Sequence, residues 1–180
     1  MAVDMYLVLE SALGEFQDGK KTGQIQIEDF SFSVDGSFND LGGGGHSGGG
    51  KSGRTRFSDV KIFKFVDKST PVLIGFLDNN KKLKSAKIVV RKSGGKQEIF
   101  YTVEMFDALI SNFNSIGFGA DNRSGSKLTE RKDEDAIQEN FTINFPKITI
   151  TYLPQKADGS MGADVIFTAD LRNRESGRYG

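Results

Sequence analysis

The chain has 180 residues, 37% hydrophobic and 27% charged, which suits one domain with a single core. Its 24 basic residues balance its 24 acidic residues. Proteins whose function is to bind nucleic acid usually carry an excess of basic residues, and that excess is absent here. There is no cysteine and His46 is the only histidine, which excludes disulfides, thiolate or multi-histidine metal sites and a cysteine nucleophile.

The N-terminal sequence MAVDMYLVLE lacks a basic segment, and its apolar run is too short for a secretory signal peptide. No stretch approaches the roughly 20 apolar residues that a membrane-spanning helix needs. We therefore expect synthesis in the cytoplasm, no membrane insertion, and export only by a route that does not read a cleaved signal.

Alternation of apolar and polar residues dominates the chain and predicts β-strands. The predicted strands are residues 5–9, 24–34, 56–66, 86–91, 97–106, 109–118, 141–152 and 165–171. Three of them change phase: near Glu28 and Asp29, where we expect a β-bulge, between Ile62 and Phe63, and at Pro146. Long strands with such changes are typical of curled sheets and barrels.

One segment has helical spacing. Ser69 is a candidate N-cap and Pro71 falls in the first turn. The apolar stripe that follows consists of Val72, Leu73, Phe76 and Leu77. The predicted fold is therefore mainly β, an antiparallel β-barrel of two curled sheets with one short flanking α-helix. It forms a single domain over residues 1–180, with loops at 36–53 and 119–135 and a C-terminal strand and tail at 163–180.

Residues 45–52, GHSGGGKS, match the phosphate-loop pattern G-x-x-x-x-G-K-[ST]. That loop needs a buried strand before it and a helix after it, but residues 56–66 alternate as a strand. We interpret the match as a consequence of glycine richness and expect no nucleotide binding. No catalytic, cofactor-binding or metal-binding residue is predicted.

Two groups of charged residues have simple interpretations. Asp133, Glu134, Asp135 and Glu139 lack the spacing of a calcium loop and are interpreted as a solvated loop. The second is a basic group that resembles a nucleic-acid-binding surface only weakly: Lys61, Lys64, Lys84, Lys87 and Arg91. The many phenylalanines of the chain are predicted to pack mainly in the core.

Five segments, in order, resemble the Hcp family, the haemolysin-coregulated tube proteins of bacterial type VI secretion. They are MAVDMY at 1–6, FVDKSTPVL at 65–73, AKIVVRKSGG at 86–95, NFPK at 144–147 and YLPQKADGS at 152–160. The resemblance implies a non-enzymatic subunit of hexameric rings that stack into a secreted tube. Its partners would be a VgrG-like spike protein, a contractile sheath and effectors carried in the lumen.

Three alternatives stay open at this point: a phage-like tail-tube subunit, a monomeric barrel that binds a small ligand, and a nucleotide-binding enzyme. Within the tube interpretation, the glycine-rich loop is too long for a simple hairpin connection. We expect it to reach from one ring toward the next, with basic residues meeting acidic residues there. The residues of this hypothesis are Gly42, Gly45, His46, Gly50, Lys51, Arg54 and Arg56.

Overall fold

The computed structural model describes residues 3–9, 14, 16–18, 21–36, 55–93, 97–117, 137–156 and 160–172. Within these residues the chain is mainly β, as predicted, with antiparallel pairing throughout and one helix. In chain order the elements are β1 Val3–Leu9, β2 Phe16–Asp18, β3 Lys21–Gln26, β4 Asp29–Ser31, β5 Val34–Gly36, β6 Thr55–Phe57, β7 Val60–Phe65, α1 Thr70–Asp78, β8 Leu83–Lys92, β9 Ile99–Ile116, β10 Gln138–Asn144, β11 Lys147–Tyr152 and β12 Val165–Asp170.

The long strand β9 organises the sheet. Strand β8 pairs with one of its edges, while β11 and β10 pair with successive halves of the other edge. From β8 the path continues through β1 and β3 to β2, and from β10 it continues through β7 to β4. β12 extends the sheet beyond β11, and β5 and β6 form a separate two-stranded ribbon.

Two predicted phase changes are places where the chain exchanges one partner strand for another. Between β3 and β4 the Ile27 N–H donates to the Met5 carbonyl (3.1 Å) and the Glu28 N–H to the Phe63 carbonyl (2.8 Å). Between β10 and β11, Pro146 needs no ladder bond from its nitrogen. The expected bulge near Glu28 is thus a strand break. A β-bulge does occur between β9 and β10. Thr142 pairs with Asn112 but Ile143 pairs with Ile110, so Ser111 is the extra residue.

The predicted barrel is not confirmed, because the strand pairings of the described residues run from β2 to β4 without closing. Two strand predictions were also wrong. Residues 97–106 and 109–118 belong largely to one strand, β9, which bends through Asp107 with a positive φ of 51°. In β7 the phase does not change: Val60, Ile62 and Lys64 all point inward.

The core lies against the inward faces of these strands. Its fully covered side chains include Leu7, Ile25, Ile62, Ile88, Val103, Met105, Phe141 and Ile148. Helix α1 packs on the core with the predicted stripe, in which Leu73 and Phe76 are buried and Val72 and Leu77 are half-buried. Among the described residues, no helix has the length and apolarity needed to cross a membrane.

Candidate assembly surfaces

A buried ionic cluster lies where α1 begins. Lys64 of β7 and Glu139 of β10 are direct cross-strand partners, and the Lys64 ammonium lies 2.8 Å from the Glu139 Oε2. The same ammonium lies 2.9 Å from the Asp67 Oδ1 and donates to the Thr70 hydroxyl at 3.2 Å. Thr70 in turn donates to the Glu139 Oε2 at 2.8 Å. We call Lys64, Asp67, Thr70 and Glu139 the helix-start cluster.

This cluster is removed from solvent. The side chains of Lys64 and Glu139 are 0% and 1% exposed, and that of Asp67 is 13% exposed. Two carboxylates share one ammonium, and the second Glu139 oxygen, Oε1, is buried without a hydrogen-bond partner in the described part of the chain. Charges buried in this way are tolerated only with close partners, so the cluster requires its elements to hold a defined position.

Sequence reasoning missed this cluster, although a signal was present. Lys64 shares the parity of Val60 and Ile62, and Glu139 shares that of Phe141 and Ile143. The predictions that Glu139 lies in a solvated loop and Lys64 in a basic surface group are wrong, because both residues are buried. The rest of the acidic group, Asp133, Glu134 and Asp135, lies outside the described residues.

An exposed apolar surface lies beside the β5–β6 ribbon. Phe57 of β6 stacks on Phe167 of β12, with ring centroids 6.2 Å apart. Val34 is the cross-strand partner of Phe57, and Tyr152 is that of Val165, which shares the face of Phe167. Val34, Tyr152 and Val165, which we call the ribbon patch, are 48%, 48% and 58% exposed. Clustered exposure of large apolar side chains usually marks an interface.

A second exposed apolar surface adjoins the helix-start cluster. The Val66 N–H donates to the Ile137 carbonyl at 3.0 Å, and Ile74 lies one helical turn beyond Thr70. Val66, Ile74 and Ile137, which we call the helix patch, are 40–47% exposed. The two patches lie at opposite ends of β9, because Tyr152 pairs with Tyr101 whereas Gln138, next to Ile137, pairs with Ile116.

Of the residues predicted for contacts between rings, the described part of the chain includes one. Arg56 lies in β6, exposed, as the cross-strand partner of Asp35. Gly42, Gly45, His46, Gly50, Lys51 and Arg54 lie outside the described residues, as do most of the predicted loops at 36–53 and 119–135.

Comparison with known proteins now decides the family. Residues 6–152 match the family described as "Type VI secretion system effector, Hcp". The chain belongs to the Hcp family. It is also 31% identical over 161 residues to Protein hcp1 of Pseudomonas aeruginosa, an alignment that covers 89% of each chain. The resemblance found in the sequence is therefore confirmed, and it connects this Hcp chain with type VI secretion.

Solved structures share the fold. One described as a type six secretion system protein superposes with a TM-score of 0.80 at 18% identity and covers 97% of this chain and 99% of that one. Hcp1 from Salmonella typhimurium gives 0.69 at 16% identity, covering 96% and 97%. A type VI secretion system effector from Yersinia pestis gives 0.64 at 20% identity, covering 93% and 99%. At these identities the likeness concerns the fold alone.

Proposed function

We propose that this Hcp chain is a structural subunit of the type VI secretion inner tube. Six copies form a ring, rings stack into a tube, and effectors travel in its lumen. The observation that carries the proposal is membership of the Hcp family over residues 6–152. The subunit has no enzymatic role; it works with a VgrG-like spike protein and a contractile sheath, and it is secreted.

We further propose that the two arms of the sheet, one running from β8 through β1 to β3 and the other from β10 through β7 to β4, close into one barrel wall. Support comes from the break between β3 and β4, where consecutive residues bind opposite arms of the sheet. Ile27 bonds to Met5 of β1, and Glu28 bonds to Phe63 of β7. A continuous wall suits a ring subunit because it leaves few free strand edges for uncontrolled pairing.

The two apolar patches support closed ring assembly. A ring built by head-to-tail contacts needs two different surfaces on each copy, whereas a two-fold dimer uses one surface twice. The ribbon patch and the helix patch are two such surfaces. We propose that the ribbon patch of one copy contacts the helix patch of the next.

Light scattering and negative-stain imaging of the purified chain test the ring. The expected particle is an annulus with about six times the 19.7 kDa mass of one chain. A monomer at every protein concentration would refute the proposal. Val165→Asp in the ribbon patch and Val66→Asp in the helix patch should each abolish rings, because a buried unpaired carboxylate is costly. Val8→Asp, at an exposed valine of β1 outside both patches, is the matched control.

Mixing the two patch variants tests the head-to-tail contact. Val165→Asp keeps its helix patch and Val66→Asp keeps its ribbon patch, so a mixture retains one intact contact and should give dimers without rings. If each variant alone remains monomeric and the mixture does too, the patches do not contact each other.

The glycine-rich segment remains a proposal for contact between rings. The exposed Arg56 lies on the β5–β6 ribbon, whose strands lead into and out of residues 37–54. Exposed ion pairs contribute about 1 kcal/mol or less each, but several copies per ring would add up to a salt-sensitive contact. Replacing residues 42–50 with a short turn should leave rings intact and abolish stacking and secretion. Normal stacking of the shortened chain would contradict this role.

A further inference from the structure

We infer that the helix-start cluster is a positioning device: it fixes the register of β7 against β10 and the location of α1, and ring assembly depends on that position. The statement about assembly rests on the proposed tube function. The statement about register and helix position stands on the geometry alone.

The argument begins with the ladder between β7 and β10. Three pairs face the core: Val60 with Ile143, Ile62 with Phe141, and Lys64 with Glu139. The four apolar members are 0% exposed. A slip of one residue would turn every side chain to the other face. A slip of two residues keeps apolar side chains inside, so the apolar pairs discriminate against it only weakly.

The charged pair does discriminate against a two-residue slip. In one direction Lys64 would face Phe141, and in the other Glu139 would face Ile62. In both cases Glu139 is buried without its counter-charge, whereas Lys64 keeps Asp67, and proteins strongly avoid a buried unpaired carboxylate. Lys64 and Glu139 therefore select one register out of those that the apolar residues would accept.

The same cluster determines where α1 begins. Ser69 stands at the N-cap position, but its side chain makes no capping bond to the helix; its hydroxyl donates to the Asp67 carboxylate instead. The first turn also has no acidic residue. Thr70, the first helical residue, is instead held by the Lys64 ammonium and the Glu139 carboxylate. The start of the helix is thus tied to both strands, and the helix patch is built on those same segments.

A positioning role and a stabilising role predict different outcomes when the pair is replaced as a whole. Removing Lys64 leaves Glu139 buried without a cation, and removing Glu139 leaves the buried ammonium only the partly exposed Asp67, so Lys64→Met and Glu139→Leu should each lower Tm by about 10 °C. Apolar replacement of both partners is often neutral or stabilising. In the double variant Lys64→Met/Glu139→Leu the partly exposed Asp67 keeps its hydrogen bonds from Ser69, so this variant should melt within about 3 °C of the wild type.

The double variant should nevertheless lose position. We expect amide hydrogen exchange at least about tenfold faster at Val66, whose N–H binds the Ile137 carbonyl, and at Leu73 in the first turn of α1. We also expect a loss of rings by light scattering. The matched control is Ile62→Val/Phe141→Leu, which alters the neighbouring cross-strand pair and leaves the cluster in place. It should lose some global stability through its smaller side chains, but once that loss is subtracted, exchange at Val66 and Leu73 should match the wild type, and the rings should remain.

Three outcomes overturn the inference: a double variant as unstable as the single variants, one with native exchange at both amides, or one that forms rings like the wild type. The failure of the proposed function is distinguishable, because in that case the wild-type chain itself forms no rings. The exchange measurement then still decides whether the cluster sets the register.

Discussion

Two ionic clusters in this protein have the same set of charges, one cation and two carboxylates, and differ in their solvent exposure. In the helix-start cluster, Lys64 lies between the carboxylates of Asp67 and Glu139. Near the bend of β9, the Arg172 guanidinium lies 3.0 Å from Asp107 and 3.7 Å from Asp170. We call these last three residues the corner cluster. Each cluster joins separate elements through one cation and two carboxylates.

The difference in exposure decides what each cluster does. Arg172 and Asp107 are 52% and 42% exposed, so water and salt screen their attraction, and such pairs contribute little. Lys64 and Glu139 have lost their hydration, so their pairing is a condition for folding into this register. The comparison shows that a contact distance alone does not indicate how much a structure depends on an ion pair.

The largest expected effect breaks the buried cluster. Glu139→Leu removes the more deeply buried of the two carboxylates beside Lys64 and should lower the free energy of unfolding by about 3–5 kcal/mol. Ile143→Val, on the same strand and the same inward face, should cost only about 0.5–1.5 kcal/mol. Urea unfolding of both variants measures the contrast. Equal losses would mean that the charged pair behaves as ordinary core packing.

A second variant separates charge from backbone in the corner cluster. Asp107 has a left-handed backbone conformation, φ 51°, which β-branched residues adopt poorly. Asp107→Val should cost about 1–3 kcal/mol through this strain. Asp107→Asn loses the charge but tolerates the conformation, and should change stability by about 0.5 kcal/mol or less. If the two substitutions cost the same large amount, the ion pair with Arg172, which both of them remove, is what matters at this position.

A smaller effect is expected from removing the exposed cation. Arg172→Ala should cost less than about 1 kcal/mol in dilute buffer. The difference from wild type should shrink further in about 1 M salt, where the Debye length falls to about 3 Å. Thermal unfolding at the two salt concentrations measures it. A large, salt-independent loss would show that Arg172 acts through packing of its side chain.

The sequence predicted much of the architecture, because period-two alternation and the Ser-Thr-Pro start of α1 are local signals. The breaks between β3 and β4 and at Pro146 were visible as phase changes. The strand partners were not visible, since pairing depends on contacts distant in sequence. The unbroken β9 was hidden because Asp107 resembles a turn residue, although the fold holds it inside a strand.

The candidate assembly surfaces were harder to predict, for a physical reason. Sequence alone assigns charged residues such as Lys64 and Glu139 to solvent, since burial of an unpaired charge is costly. Only the cross-strand register shows that each one compensates the other. Likewise, the alternation in β11 and β12 places Tyr152 and Val165 on the inward face of the sheet. It does not show that this end of the face is exposed, because that depends on how far the β5–β6 ribbon covers it.

The smallest effect on stability is expected at Tyr101, where burial is the cause of the shifted pKa. Its ring stacks against Phe30 with centroids 6.3 Å apart, and burial raises the pKa of its phenol above the usual 10.0. Above about pH 10 the unfolded chain loses this proton while the folded chain keeps it, so the folded state binds more protons and stability falls as pH rises. Below that pH, ionisation of Tyr101 has no effect on stability.

Tyr101→Phe removes this proton and should make the alkaline loss of stability shallower. The measurement is the free energy of unfolding for wild type and variant at pH 8 and again above pH 10. The difference between them at pH 8 reports packing and the lost hydroxyl. A change in that difference at high pH, in favour of the variant, reports the shifted ionisation. If the difference is the same at both pH values, the phenol ionises alike in the folded and unfolded chains, and burial without a nearby charge does not perturb it.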